Sequence, residues 1–324
     1  MNTSGINFSF FQALRSYAAA AAIPISLLGL VLNAFVLYII STNSCFHNIS
    51  YFLIRVNIIS DIISNITSAT AFIILVTTNV NYVLGSILCR GLFYIILTSY
   101  AISIYTLCII SVDRYYAAVK PISFFYRKNK SKILKIAQLL VCTIATITTI
   151  PTAIYNDVYR NETDFCDIRE FTIAISIYLV AIVLVLYVIP CIIIVFAYGS
   201  IIRYQFTYVR PGVRIGHNMS HERQKKKLNR FLFCITAAYL LSTWPFFATG
   251  VGMAITGKSL KQIQNINIVY YLLAFFSFAG TTSIAVINPL FYLQFDSNIR
   301  KIAWHIARKL FSKKANGRVL HISS

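Results

Sequence analysis

Seven long stretches of this chain are free, or almost free, of lysine, arginine, aspartate and glutamate. They cover residues 16–54, 91–112, 136–156, 171–202, 231–257 and 262–295, and a seventh, 56–89, is broken only by Asp61. About 20 predominantly apolar residues let a helix cross the hydrocarbon core of a bilayer, and each stretch is long enough. Backbone polar groups in lipid must be satisfied within the segment, so such runs are helical. The expected fold class is therefore an all-α membrane protein, a seven-transmembrane helix bundle. Only 12% of the residues are charged, against about 25% in soluble domains, which excludes a soluble fold. Spans are expected near 17–41, 51–77, 86–118, 133–154, 171–205, 222–256 and 263–292. Residues 1–16 form a tail before them, 17–295 the bundle, and 296–324 an inner helix and tail. The N-terminus lacks a basic leader region, so the first span is expected to act as its own insertion signal.

The distribution of charge orients the bundle. Of the 29 basic residues, Arg15, Arg90, Arg160, Arg169, Lys258 and Lys261 fall on one side. The remaining 23 fall on the opposite side, among them Arg127, Lys128, Lys130 and Lys132 after span three, Arg223 to Lys227 before span six, and those of the C-terminal tail. Cytoplasmic segments carry the Lys/Arg excess, which places the N-terminus outside and the C-terminus inside a multi-pass plasma-membrane protein. The net charge of +20 is then a topology signal directed at anionic membrane lipids, and nucleic acid is not an expected partner. Residues Ile299, Ile302, Ala303, Ile306 and Leu310 recur at helical spacing among basic residues, with Trp304 beside them. They predict a short amphipathic helix over 296–312 lying in the inner interface. Glycosylation sequons on the outer side fall at Asn2, Asn7 and Asn161. Those at Asn48, Asn65 and Asn218 fall within the membrane or inside it.

Of seven cysteines, only Cys89 and Cys166 lie on the oxidising side. They form one bridge between the top of span three and the loop after span four, unless both remain as thiols. Such a bridge stabilises by about 2–4 kcal/mol. Asp61 is the only ionisable residue deep in a span, where an Asp costs about 2.5–3.5 kcal/mol on insertion scales. It therefore faces the interior, with Asn57, Ser64 and Asn65 on its own helix and Asn33, Ser103 and Asn288 offered by others. Two readings stay open: a polar centre holding a small cation or water, and a protonated carboxyl acting as interhelical glue. Pro151, Pro190, Pro245 and Pro289 each remove a backbone hydrogen bond inside a span, and Asn288 is placed to satisfy a carbonyl so freed. Arg114 ends span three. It either snorkels to the phosphates or, masked by Asp113, forms a docking point exposed when helices part.

These motifs together resemble the rhodopsin-like (class A) G-protein-coupled receptors over residues 17 to about 312. Asn33 matches the family's first-span Asn. Asp61 matches the Asp of its sodium pocket, with Ser103 and Asn288 as companions. Asp113-Arg114-Tyr115 is an intact D-R-Y, and Cys89 precedes Arg114 by the family's 25 residues. Pro190 and Tyr198 match the fifth-span pair. Asn288-Pro289-Leu290-Phe291-Tyr292 is a full N-P-x-x-Y, and 296–312 matches the short eighth helix.

The resemblance implies an extracellular ligand among spans three, five, six and seven, a swing of span six at Trp244-Pro245, and inward movement of Tyr198 and Tyr292. Arg114 and Ile122 would then engage a heterotrimeric G protein; arrestin is a further cytoplasmic partner. Three departures accompany it. Thr243 stands where the family's toggle Trp is expected, one residue before Trp244, so two readings stay open: Trp244 acts as the toggle from a shifted position, or Thr243 occupies its place. Span four has no Trp. Lys225 replaces an acid that pairs with the D-R-Y Arg in many relatives, which weakens the closed state and implies basal signalling.

The matching cavity positions, Ile96, Leu97, Tyr100, Phe246, Phe247 and Phe278, are apolar or aromatic. Monoamine receptors carry an Asp where Ile96 stands and opsins a Lys where Thr282 stands, so neither ligand class is expected. Asp157, Glu162, Asp164, Asp167 and Glu170 make the outer loop acidic, which favours a cationic peptide by steering; a solvated acidic loop is the plainer reading, and a lipid-like or other small molecule ranks second as ligand. The competing class, a multi-pass transporter or channel, calls for intramembrane charges along a path and internal repeats. Asp61 has no such counterpart. No nucleophile constellation, paired carboxylates or His-rich cluster points to an enzyme, and no cofactor is implied beyond a sodium ion.

Overall fold

The computed structural model describes the backbone of residues 3–77, 80–119, 124–207 and 219–319, and side chains over 13–76, 80–119, 128–204, 233–234, 236–278, 280–294, 296 and 298–309. Its helices are α1 (Thr3–Thr42), α2 (Ile49–Thr77), α3 (Tyr82–Ala118), α4 (Phe124–Tyr155), α5 (Ile173–Val183), α6 (Ile189–Thr207), α7 (Met219–Thr256), α8 (Leu260–Ile266), α9 (Ile268–Phe295) and α10 (Ser297–Val319). A π-helical turn, Leu184–Val188, joins α5 to α6, so that the two make one rod with its irregular turn just before Pro190. Seven segments are long and apolar enough to cross a membrane. Their outward faces carry Leu139, Ile192, Val195 and Leu241 largely exposed, an apolar surface that only lipid accommodates.

α3 is the central post, with buried residues recurring from Cys89 to Asp113, and it packs against α2, α4 and α6. α1 closes against α2 and α9. Gly29 makes that approach possible. A Cβ there would lie 2.6 Å from Asn65 Oδ1 and 2.7 Å from Val286 Cγ2.

Several boundaries and elements differ from the sequence expectation; α4, for one, begins at Phe124 and not near 133. α1 begins at Thr3, inside the stretch expected to be a tail, because no proline or turn cluster intervenes before the apolar run. The seventh span begins at Ile268 and not near 263: Asn267 (φ −150°, ψ 110°) breaks the uncharged stretch and caps α9 by accepting from the amides of Val269 and Tyr270. The segment before it is the separate helix α8, closed by a Ser259/Gln262 capping box. The outer loop after α4 folds into an antiparallel hairpin of β1 (Asn156–Tyr159) and β2 (Glu162–Ile168), pairing Val158 with Cys166. Charge-scanning does not detect strands this short.

The inner helix α10 runs past the expected 312. Asp296 caps it by accepting from the amides of Asn298 and Ile299, and Tyr51 of α2 donates its hydroxyl to the same carboxylate at 2.8 Å. Ile299, Ile302, Ala303 and Ile306 pack on the bundle core, and Trp304 is exposed.

Enlarging Gly29 forces α1 away from α2. Gly29→Val is expected to cost about 1–3 kcal/mol through overpacking, read as a lower thermal midpoint of the solubilised protein, with Gly91→Val, whose Cβ position is open, as the neutral control.

Candidate functional site

The site has three levels along the bundle. The middle level starts from a covalent fact: Pro289 has no N–H, so the carbonyl of Ala285, four residues earlier, lacks its helical donor. Asn33 of α1 donates its amide to that oxygen at 2.6 Å and Asn65 of α2 at 3.3 Å. Asn288, the residue expected to do this, is directed elsewhere. Its amide donates to Asp61 Oδ2 at 2.9 Å. Asp61 also accepts from Asn57 at 3.3 Å and from the Ser103 hydroxyl at 3.4 Å. Asn57 in turn donates to the Tyr292 hydroxyl at 3.3 Å. Asn33, Asp61, Ser103, Asn288 and Tyr292 are all buried, so the sequence reading of one polar centre drawn from α1, α2, α3 and α9 agrees with the geometry. Asn57 and Asn65, noted only as neighbours of Asp61, are structural members of it. A cavity of about 20 Å³ beside Asp61 is lined by Ser64, Ser99, Ser103, Thr281 and Thr282, large enough for one water or small ion. One carboxylate among hydroxyls is a hard oxygen-donor set and suits a sodium ion.

The outer level is a cavity of about 310 Å³ lined by Ile96, Leu97, Phe246, Phe247 and Phe278, as expected, and by Phe93 and Arg15, which the sequence reading left out. Tyr100 is a correction. It lines the small polar cavity and not the outer one, forming the floor between them with Tyr239, whose ring is 5.2 Å away and whose hydroxyl donates to the Tyr100 carbonyl at 3.0 Å. Trp244 and Thr243 point to different sides of α7. The Trp244 side chain is 53% exposed on the outer face, while Thr243 is fully buried. One residue along a helix is a turn of about 100°, and Tyr239, Thr243 and Phe247, spaced by four, form the inward stripe. Phe247 stacks on Tyr187 at 5.0 Å and meets Tyr100 at 5.5 Å. Tyr239 and Phe247 make the inward aromatic contacts at this level of α7. Pro245 lies within α7 as expected.

The acidic loop is the second correction. The disulfide Cys89–Cys166 fixes β2 to the top of α3. Asp157 pairs with Arg90 at 3.1 Å and Arg169 at 3.2 Å. Glu162 pairs with Arg15 at 3.4 Å and Lys261 at 2.6 Å. Asp167 accepts from the amides of Leu260 and Lys261 at the start of α8 and from the Tyr159 hydroxyl. Arg15 also stacks over Phe165 at 4.6 Å. Most of the loop's negative charge is spent holding the hairpin to α1, α3 and α8, so steering of a cationic ligand loses its basis. Asn161 is exposed at the hairpin turn; Asn2 and the side chain of Asn7 lie outside the described residues.

At the inner level, Arg114 is half-buried and donates to the Ser50 hydroxyl of α2 at 2.6 Å, directed into the bundle and not out to lipid. Asp113 is buried and paired with Lys130 of α4. Tyr115 lies against Phe196, and Tyr198 is buried edge-on to Phe233. Ile122 and the side chain of Lys225 lie outside the described residues.

A seven-span bundle with an outer apolar cavity, a polar centre and an inward-held Arg at its other end has the architecture of a multi-pass membrane receptor. Residues 32–292 match the sequence profile of the 7 transmembrane receptor (rhodopsin family), and the chain belongs to that family, which is one of receptors and not of enzymes. It is 26% identical over 293 residues to the neuropeptide Y receptor type 2 of Sus scrofa, covering 86% of this chain and 72% of that protein. The Homo sapiens receptor of that name is 25% identical over the same shares. The tachykinin-like peptides receptor 86C of Drosophila melanogaster is 24% identical over 83% of this chain and 54% of its own length.

The outer clamp is sensitive to acid. Burial pushes the Asp157 carboxyl up, but the Ser86 hydroxyl, the Val158 amide and Arg90 overcome it and bring the group down from 3.8 to about 2. A depressed carboxylate contributes stability above its unfolded value and loses it as pH falls through the folded value. The thermal midpoint of the wild type is expected to exceed that of Asp157→Asn by a constant margin at neutral pH, with the margin closing between about pH 4 and pH 2. A margin that persists to the lower limit would contradict the assignment.

Proposed function

We propose that this chain is a G-protein-coupled receptor that transmits binding of an extracellular peptide to a cytoplasmic heterotrimeric G protein, with its N-terminus outside and its C-terminus inside. Membership of the rhodopsin family supports the receptor class. Relatives named as neuropeptide Y and tachykinin-like peptide receptors favour a peptide. The observation that carries the coupling reading is Arg114, held inside the inner mouth, among the described residues, by the neutral hydroxyl of Ser50.

The outer cavity falls at the lower end of the size range for ligand pockets, so one apolar end of the peptide enters it while the remainder lies over the β1–β2 hairpin and α8. Contact with Phe246, Phe247 and Phe278 bears on α7 and α9. A ligand shifts the bundle only by its difference in affinity between two arrangements. Movement of Phe247 disturbs Tyr100 and Tyr239, the floor above Asp61. The chain Asp61–Asn57–Tyr292 carries the disturbance inward, α7 pivots at Pro245, and Arg114 leaves Ser50 for the G protein, with Tyr198 closing behind it and Ile122 adding an apolar contact. A sodium ion held by Asp61 and Ser103 would favour the closed arrangement by tying α2 to α3. The positive inner surface faces anionic lipid, and arrestin shares the inner mouth as a second partner.

Arg114→Ala is expected to abolish nucleotide exchange on the G protein while leaving surface expression intact. Exchange at the wild-type level in that variant would refute the coupling role.

A further inference from the structure

We propose that Lys130 is a positioning residue for G-protein coupling: by holding the Asp113 carboxylate, it leaves Arg114 on a neutral partner and ready for release. This rests on the receptor reading above. Asp113 is only 2% exposed, and its Oδ1 lies 2.5 Å from Lys130 Nζ, which reaches across from α4 and is 29% exposed. A buried carboxylate left without a counter-ion is costly, so some cation must serve it. Arg114 is the next residue in the chain and competes for the same role. In the structure its Nη2 bonds instead to Ser50 Oγ at 2.6 Å, and among the described residues its Nε has no hydrogen-bond partner.

A guanidinium on a hydroxyl is held less strongly than one on a carboxylate. Whether Asp113 pairs with Lys130 or with Arg114 therefore sets how readily Arg114 leaves. With Lys130 engaged, Arg114 detaches by giving up its neutral hydrogen bond to Ser50. With Lys130 neutralised, Asp113 draws Arg114 into an ion pair and the inner mouth closes. Lys130 acts through Asp113 and need not touch the G protein itself.

The test is ligand-free nucleotide exchange by the full-length receptor in lipid nanodiscs, offered a panel of heterotrimeric G proteins. Lys130→Gln is expected to lower exchange about threefold or more, the scale of coupling between residues in direct contact. Lys130→Arg, which keeps the charge, restores it. In an Asp113→Asn background, where no carboxylate competes for Arg114, Lys130→Gln should change nothing. Undiminished exchange in Lys130→Gln would overturn the proposal. So would an equal fall in the Asp113→Asn background, since Lys130 would then act on the partner or on the fold. Wild-type exchange no higher than a receptor-free control with every heterotrimer would overturn the coupling reading instead.

Discussion

One carbonyl oxygen organises the middle of this bundle. Pro289 leaves the Ala285 oxygen without a helical donor at a depth where water is scarce, and an unsatisfied backbone group in lipid costs several kcal/mol. Two asparagines from two other helices reach that oxygen. Their convergence draws α1 and α2 onto α9 and requires the bare backbone of Gly29 for clearance. The Asn preceding the proline is then free to bind Asp61, and through Asp61 the same junction includes Ser103 on α3. Four helices meet at one polar joint because one of them carries a proline.

The joint also separates the two ends of the molecule. Above it lies a floor of Tyr100 and Tyr239 beneath an aromatic outer cavity; below it, Asn57 and Tyr292 lead toward the inner mouth. Each end is fastened by charge. The outer hairpin is clamped by ion pairs to α1, α3 and α8, and the inner helix α10 is capped by Asp296 and tied to α2 by Tyr51. The proposed switching motion is thereby concentrated in α7, which packs on α5 and α9 and carries Pro245.

Much of this was legible in the sequence, for identifiable reasons. Charge-free runs report helices because lipid imposes the same demand on every crossing. Asp61 reported the polar centre because a buried acid must find partners, and Cys89 with Cys166 reported the bridge because the distribution of basic residues set them apart from the other five cysteines, on the side expected to be oxidising. What failed depended on direction. Order in the chain left Thr243 and Trp244 undivided, whereas helical phase turns Trp244 to the exterior and Thr243 inward with Tyr239 and Phe247. Five acids in one loop read as a field directed at solvent, but the cations that neutralise them come from α1, α3 and α8, far apart in sequence. Asn288 seemed the natural partner for the carbonyl freed by Pro289; the donors came from 252 and 220 residues away.

The central claim is that the Ala285 carbonyl must keep at least one of its two side-chain donors. A double-mutant cycle on Asn33→Ala and Asn65→Ala, read as thermal midpoint of the solubilised receptor, tests this most directly. Each single variant leaves one donor in place, whereas the double variant orphans a buried carbonyl, at a cost of about 1–3 kcal/mol beyond the sum of the singles. Strictly additive losses would show that the two amides act independently and that the joint is not built around that oxygen.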